Sequence, residues 1–303
     1  MKIAATVLSA FLALTAVGSI GCSRHKQEAV ILANEGDQIV ELDPNGAISK
    51  YEQAVQLDPS NHRILYKLAK AQKKKEEWDK VASTLARATD LQPSYANYWF
   101  ERGWALMKSA EKSKETAKYE DAKEPLKKCI EADPNKDECH YQLAIAYLWT
   151  DDEQQALNTF TKAIEFRPDN IGYYTRLADL YVRLGYQDEA EKVLNAAIDM
   201  ANPKDKRLYN VHTLLAGIHR DKGDVDKMVA SFEAAKAVNQ EDAGLLFNLG
   251  MAYSKLNPPK KAESLQMLKG FIARACRSAK STKYKTQCDQ ANATMRNLKG
   301  PGT

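Results

Sequence analysis

Four prolines, Pro59, Pro93, Pro134 and Pro168, stand 34, 41 and 34 residues apart, and each closes a stretch of helical periodicity. Self-similarity at a step near 34 residues marks stacked supersecondary units, none of which buries its apolar face without a neighbour. Such a chain folds as a solenoid and not around the single core of a globular enzyme.

The unit is clearest between Asp137 and Pro168. Leu143, Ala144 and Tyr147 share one helical face, Asp151 and Asp152 mark a turn, and Ala156, Phe160 and Ala163 form a second face. Spacings of three, four and seven predict two amphipathic helices. The next unit repeats them with Leu177, Ala178, Tyr181, Gly185, Ala190, Leu194 and Ala197, and then Pro203. Upstream, Leu65, Leu68, Ala69, Leu85, Ala88 and Pro93 make one unit, and Trp99, Gly103, Leu106, Ala122, Leu126 and Pro134 another. The second of these holds seven extra residues around Lys112 to Lys118, read as a lengthened hairpin.

This order of a large residue, Leu with a small residue, Tyr, and later Ala, Phe, Ala and Pro resembles the tetratricopeptide repeat family. The resemblance covers residues 28–297. It implies an all-α, right-handed superhelical solenoid of about seven helix-turn-helix repeats. Leu215, Ala216, Gly223, Phe232 and Ala235 fit a sixth unit, and Leu246, Leu249, Gly250 and Tyr253 open a seventh. The pattern fades after Pro258 and Pro259, and Lys283 to Asn297 reads as a polar-faced capping helix. At the other end Ala47, Tyr51, Ala54 and Pro59 fit a second repeat helix, while the helix before them departs from the pattern.

A different kind of segment precedes the repeats. Lys2 is followed by an uncharged run from Ile3 to Ile20, rich in Ala, Leu and Val, and then by Gly21 and Cys22. This has the form of an export signal. Ile20, Gly21 and Cys22 resemble the end of a bacterial lipoprotein signal, in which the Cys is acylated and becomes the new N-terminus. Ser19 stands where Leu is usual, so ordinary cleavage without a lipid is the alternative. Several acyl chains on Cys22, at about 0.8 kcal/mol per buried methylene, would make attachment permanent. The expected organisation is an export signal over 1–21, a short tether over 22–27, the solenoid over 28–270, and a basic capping helix and tail over 271–303.

Five cysteines divide into Cys22 and two local pairs, Cys129 with Cys139 and Cys276 with Cys288. In an oxidising compartment each pair is a disulfide candidate. Four buried thiols at the small positions of a helical repeat is the competing reading. Cys129, Cys139 and His140 are the densest potential metal ligands, and His212 and His219 lie seven apart on one helix. Neither set makes a zinc pattern, and these histidines occupy positions where the family places packing side chains. No metal or other cofactor is therefore expected. No phosphate loop, nucleophile elbow or His-Glu-x-x-His motif occurs in the sequence, which reads as a binding protein and not as an enzyme.

In the family, the first helix of each repeat lines the concave face, at a position after the large packing residue and then four and seven residues on. Those positions here are Tyr66; Phe100, Trp104 and Met107; Tyr141, Ile145 and Leu148; and Phe247 and Met251, with Trp149 beside the stripe. An apolar, aromatic strip of this kind suits an extended peptide or an amphipathic helix. Lys67, Lys70, Lys73 and Lys74 flank one end as a basic margin, and Arg176, Asp179, Arg183 and Arg220 make the middle polar. Asn97 and Lys70 only approach the family's carboxylate-clamp positions, which disfavours a cytosolic chaperone-docking role.

The formal net charge is +4, yet Lys269 to Thr303 alone holds eight cations and one acid, so the rest of the chain is net acidic. A basic end of this kind fits anionic headgroups, an acidic partner or cell-wall polymer, or simply solvent. No other basic track is present to suit nucleic acid. The chain resembles outer-membrane repeat lipoproteins that support trans-envelope machines, including pilotins of type IV pilus secretins and motility components. The implied role is a scaffold facing the periplasm that binds an envelope protein and no small-molecule substrate. Regulation of a peptidoglycan synthase or hydrolase is the alternative use of the same scaffold.

Overall fold

The structure, a computed structural model, describes residues 24–276 and 283–299. All regular structure among them is helical. The lipidation expected at Cys22 and the export signal lie outside the described residues. The chain divides into two compact units, with the boundary at Phe166 and Arg167.

The first unit contains α1 (24–39), α2 (Pro44–Leu57), α3 (His62–Lys74), α4 (Trp78–Leu91), α5 (Ala96–Ser113), α6 (Thr116–Ala132), α7 (Asp137–Trp149) and α8 (Glu153–Phe166). From α2 onward each helix packs on the next. Residues 24–27, expected as tether, are already helical. The α1 helix supplies the first half of the first repeat: Ala29 and Ala33 are buried, and Gly36 lies so close to α2 that a Cβ there would meet the Tyr51 ring at 2.7 Å. Ion pairs tie α1 to both following helices, with Lys50 of α2 to Glu35 at 2.7 Å and Lys67 of α3 to Asp37 at 2.5 Å. Asp37 also accepts from the Tyr51 hydroxyl at 2.7 Å.

The second unit contains α9 (Ile171–Arg183), α10 (Gln187–Met200), α11 (Leu208–Asp221), α12 (Val225–Val238), α13 (Ala243–Lys255), α14 (Lys261–Phe271), which continues as a π-helical turn over Ile272–Cys276, and α15 (Lys285–Lys299). Its last core packs Phe232, Leu246, Leu249 and Tyr253 against Met267, Leu268, Phe271 and Ala291.

Two devices recur at the turns. Five hairpin turns pass through the left-handed region, at Glu76 (φ 54°), Lys114 (φ 61°), Asp151 (φ 56°), Gly185 (φ 84°) and Gly223 (φ 77°). This conformation satisfies carbonyls at a helix end and is easiest for glycine. The second device explains the prolines. In three repeats a side chain six residues past the proline donates to the proline carbonyl: Trp99 Nε1 to Pro93 at 2.7 Å, His140 Nε2 to Pro134 at 2.8 Å, and the Tyr174 hydroxyl to Pro168 at 3.0 Å. All three are buried, so the large packing position also pairs a carbonyl at the turn. Helix starts are capped from the sequence, with Asp43 accepting from Gly46, Asn61 from Arg63 and Ile64, and Asp242 from Leu245.

The lengthened hairpin is present, and its seven extra residues lie in the helices. Relative to α3 and α4, α5 is five residues longer and α6 three longer, while the turn between them is one residue shorter.

Candidate partner-binding faces

In the first unit the strip is built on α3, α5 and α7. Tyr66, Phe100, Trp104, Tyr141, Ile145 and Leu148 are half-buried. Met107, expected on the exposed strip, is a correction: it is 6 % exposed, in a stretch of α5 whose neighbours Ala105 and Ser109 are also buried. The register that exposes Phe100 and Trp104 brings the following turn of this long helix under its neighbours. Trp149 is 57 % exposed and stacks on Tyr119 of α6, with centroids 5.2 Å apart and planes 11° apart.

Trp104 is the best-framed of these rings. It meets Trp78 edge-on at 5.1 Å, and Lys73 Nζ stands 4.1 Å from its centroid. Lys73 also pairs with Glu101 at 2.7 Å, which holds the cation over the ring. Lys108 lies at 5.9 Å from the same ring. Cation–π contacts of this kind contribute about 0.5–2 kcal/mol and fix the ring's orientation. Tyr66 belongs to a row with Tyr98 at 5.0 Å, which in turn meets Tyr95 at 4.9 Å. His62 Nδ1 and the Tyr98 hydroxyl are hydrogen bonded at 2.9 Å. Burial, and then the charge of Glu101, raise the Tyr66 phenol above its ordinary value. Phe100 packs on Trp99, Cys129 and Cys139, with Lys136 Nζ 5.5 Å from its ring. Tyr141 meets Phe160 edge-on at 5.8 Å.

The basic margin is corrected as well. Lys67 pairs with Asp37 of α1, Lys73 with Glu101 of α5 and Lys74 with Glu41 in the turn before α2, so three of its four lysines are paired with acids from other elements. Lys70 stands 6.0 Å from the Tyr66 ring. Trp78, Tyr95 and Tyr98, which frame the strip, were not picked out as site residues. Their signal was their aromatic character at the turns flanking a predicted first helix.

In the second unit Phe247 and Met251 are half-buried and line a cavity of about 420 Å³. The wall opposite includes Gln290 and Thr294 of α15. The C-terminal helix therefore borders the strip positions of α13, where a cap was expected to cover only the stack's end. Both cysteine pairs are bridged: Cα atoms are 6.1 Å apart for Cys129–Cys139 and 6.0 Å for Cys276–Cys288. His140 and His219 are buried, and His212 is half-buried. Burial lowers the pKa of both His212 and His219. No group of three or more His, Cys, Asp or Glu among the described residues is placed to hold a metal.

Family models for the tetratricopeptide repeat match residues 41–100, 115–173 and 171–203. The chain carries tetratricopeptide repeats. These matched modules are protein-interaction scaffolds, and none of them is a catalytic family. No curated protein matches the chain. Among solved structures, a tetratricopeptide repeat protein from Parabacteroides merdae is similar at 18 % identity and TM-score 0.55, covering 89 % of this chain and all of its own. PilF of Pseudomonas aeruginosa is similar at 14 % identity and TM-score 0.53, over 77 % of this chain and 99 % of its own. MamA of Desulfovibrio magneticus is similar at 17 % identity and TM-score 0.51, over 57 % and 94 %. At these identities the repeat fold is what is shared.

Proposed function

We propose that this chain is a non-enzymatic envelope scaffold, exported and attached to the outer membrane through lipid on Cys22. It binds a partner envelope protein through the aromatic face of its first unit and supports a trans-envelope machine of the secretin or motility kind. The observation that carries partner binding is Trp104, half-buried in the free chain and held by Trp78, Lys73 and Glu101. An aromatic ring fixed before binding loses little entropy on association, which is how interface anchors concentrate affinity. Two bridged cysteine pairs and the signal-like N-terminus support an oxidising, exported location.

The test is capture from crosslinked envelopes with the full-length protein. Recovery of a secretin or motility subunit, reduced by Trp104→Ala with Tyr141→Ala, is the expected result. Undiminished capture by that variant would remove the aromatic face from the reading. Recovery of a peptidoglycan synthase or hydrolase instead would replace the machine with cell-wall regulation. Labelling with a palmitate analogue should mark the wild type and not Cys22→Ser; an unmarked wild type would leave an exported protein without an anchor.

A further inference from the structure

The cavity of the second unit has a chemistry unlike the face of the first. Its walls come from α11, α12, α13 and α15, and its volume of about 420 Å³ falls in the range of ligand-holding sites. Met228, Phe232, Phe247 and Met251 form its apolar part, and two of these are methionines, which adapt to irregular apolar groups. Arg220 and Lys255 also line it, and no acidic residue does. Arg220 Nε donates to its neighbour Asp221 at 2.9 Å, and Lys255 has no ion pair among the described residues. Three of the four lysines beside the first unit's face are paired with acids from other elements, whereas this cavity's lining holds two cations and no acid, with only Arg220 paired, to Asp221 next to it in sequence.

Two further features narrow the occupant. Asn248, Gln290 and Thr294 place amide and hydroxyl groups in the lining. An acyl chain would leave such groups without partners at a desolvation cost, whereas a peptide backbone can pair with them. The α15 wall is fastened to the body by Cys276–Cys288, and Thr294 Oγ1 lies 3.5 Å from Met251 Sδ.

We propose that this cavity is a recognition pocket for an acidic segment of a partner protein. The segment seats one apolar side chain among Met228, Phe232, Phe247 and Met251, with a flanking carboxylate against Arg220 and Lys255. The Cys276–Cys288 bridge keeps the pocket formed by holding α15 in place. This rests on the partner-binding reading and adds a second, charge-selective contact to it.

The test is fluorescence anisotropy with the mature full-length chain and short labelled peptides: one with a central Phe flanked by Glu, one with the same Phe flanked by Lys, and one with Ser replacing Phe between Glu residues. Only the first should bind, and added salt should weaken it. Arg220→Glu with Lys255→Glu should weaken it by about tenfold or more, and Cys276→Ser with Cys288→Ser several-fold, while Cys129→Ser with Cys139→Ser should leave it unchanged. Equal binding of the Glu and Lys peptides, or wild-type binding by the charge-reversed variant, would overturn the proposal. If charge reversal unfolds the unit, Ala293→Trp on the partly exposed side of α15 decides, because it fills the cavity and should abolish binding; retained binding would sink the pocket. Trp104→Ala should not affect peptide binding here. Failure of the aromatic face in envelope capture is therefore distinguishable from failure of this pocket.

Discussion

Gly103 on α5 tests whether the small residues of the repeat are there for packing. A Cβ at this position would stand 2.6 Å from Leu126 Cγ and 2.8 Å from Cδ2. Leu126 is fully buried on α6, and α6 is backed by α7. To restore ordinary contact near 3.4 Å, the leucine would have to retreat by roughly 0.8 Å into an interior with no spare volume. Gly103→Ala gains about 1 kcal/mol in helix propensity and loses about 2–3 kcal/mol to overpacking. The net expectation is destabilisation of the first unit by about 1–2 kcal/mol. Gly217 on α11 is the control, because nothing lies within 4 Å of its added Cβ; Gly217→Ala should keep the propensity gain and stabilise the second unit by about 1 kcal/mol. Hydrogen exchange with mass spectrometry reads each unit separately. The slowest amides of α5 and α6 should exchange about fivefold to thirtyfold faster in Gly103→Ala, and those of α11 slower in Gly217→Ala. A cycle with Leu126→Ala should depart from additivity by about 1 kcal/mol or more, since the new methyl group occupies part of the space the leucine leaves. Wild-type exchange in Gly103→Ala, or an additive cycle, would refute the reasoning.

Other outcomes follow from single contacts. Lys114→Gly should raise the urea midpoint of the first unit by the equivalent of about 0.5–1 kcal/mol, because a left-handed L residue costs about 1–2 kcal/mol and part of the relief is lost to the freer unfolded chain. Trp99→Phe keeps an aromatic ring but a smaller one, and leaves the Pro93 carbonyl without its donor; the lost bond and the void together should cost about 2–3 kcal/mol in denaturant unfolding. The Tyr209 phenol is pushed up to about 12, first by burial and then by Asp242. Because its folded pKa is raised, the stability it contributes is complete below pH of about 10, the unfolded value, and is lost as pH rises through about 12. Thermal melts of Tyr209→Phe should show a shallower alkaline decline than wild type over that window. Cys129→Ser with Cys139→Ser should lower the stability of the first unit by about 2–3 kcal/mol. Alkylation of the native mature protein should find none of the four paired cysteines free.

The sequence made the repeat legible because stacked hairpins impose one requirement at fixed intervals: a large residue, a small residue and a turn must recur wherever two helices meet. Leu143, Ala144, Phe160 and Ala163 could be assigned from spacing alone, and all are buried as that spacing requires. What spacing could not show is what one helix presents to another. Lys67, Lys73 and Lys74 looked like a basic margin because their acids, Asp37, Glu101 and Glu41, lie on other elements and share no local pattern with them. Met107 followed the strip's arithmetic, but burial at that turn depends on helices beyond α5. The α1 helix lacked the family's residue types because a close approach at Gly36 and a set of ion pairs replace part of the usual apolar contact. The place of α15 beside Phe247 and Met251 depended on a tertiary path that no periodicity encodes.

The one break in the proline period shows how a repeat array accommodates an addition without losing register. An α-helix turns once in about 3.6 residues, so seven residues are close to two turns. Dividing them between the two arms of a hairpin lengthens each by about one turn and returns the chain to its base in phase. The α5 and α6 helices do this, and the same bond recurs on both sides of the insertion: Trp99 donates to Pro93 before it and His140 to Pro134 after it. The added turns are held from both sides. On the preceding repeat, Asp79 accepts from Ser109 at 2.6 Å and from Lys118 at 3.1 Å, and those bonds, Ser109 first, keep its carboxyl below the usual range. On the following repeat, Trp149 stacks over Tyr119. An extension clasped by both neighbours is part of the stack and not a loose flap. Removing the seven residues would restore the period but delete Ser109, Lys118 and Tyr119 or displace them from Asp79 and Trp149. The insertion therefore carries contacts that a uniform array lacks, beside the Trp104 framework assigned to partner binding.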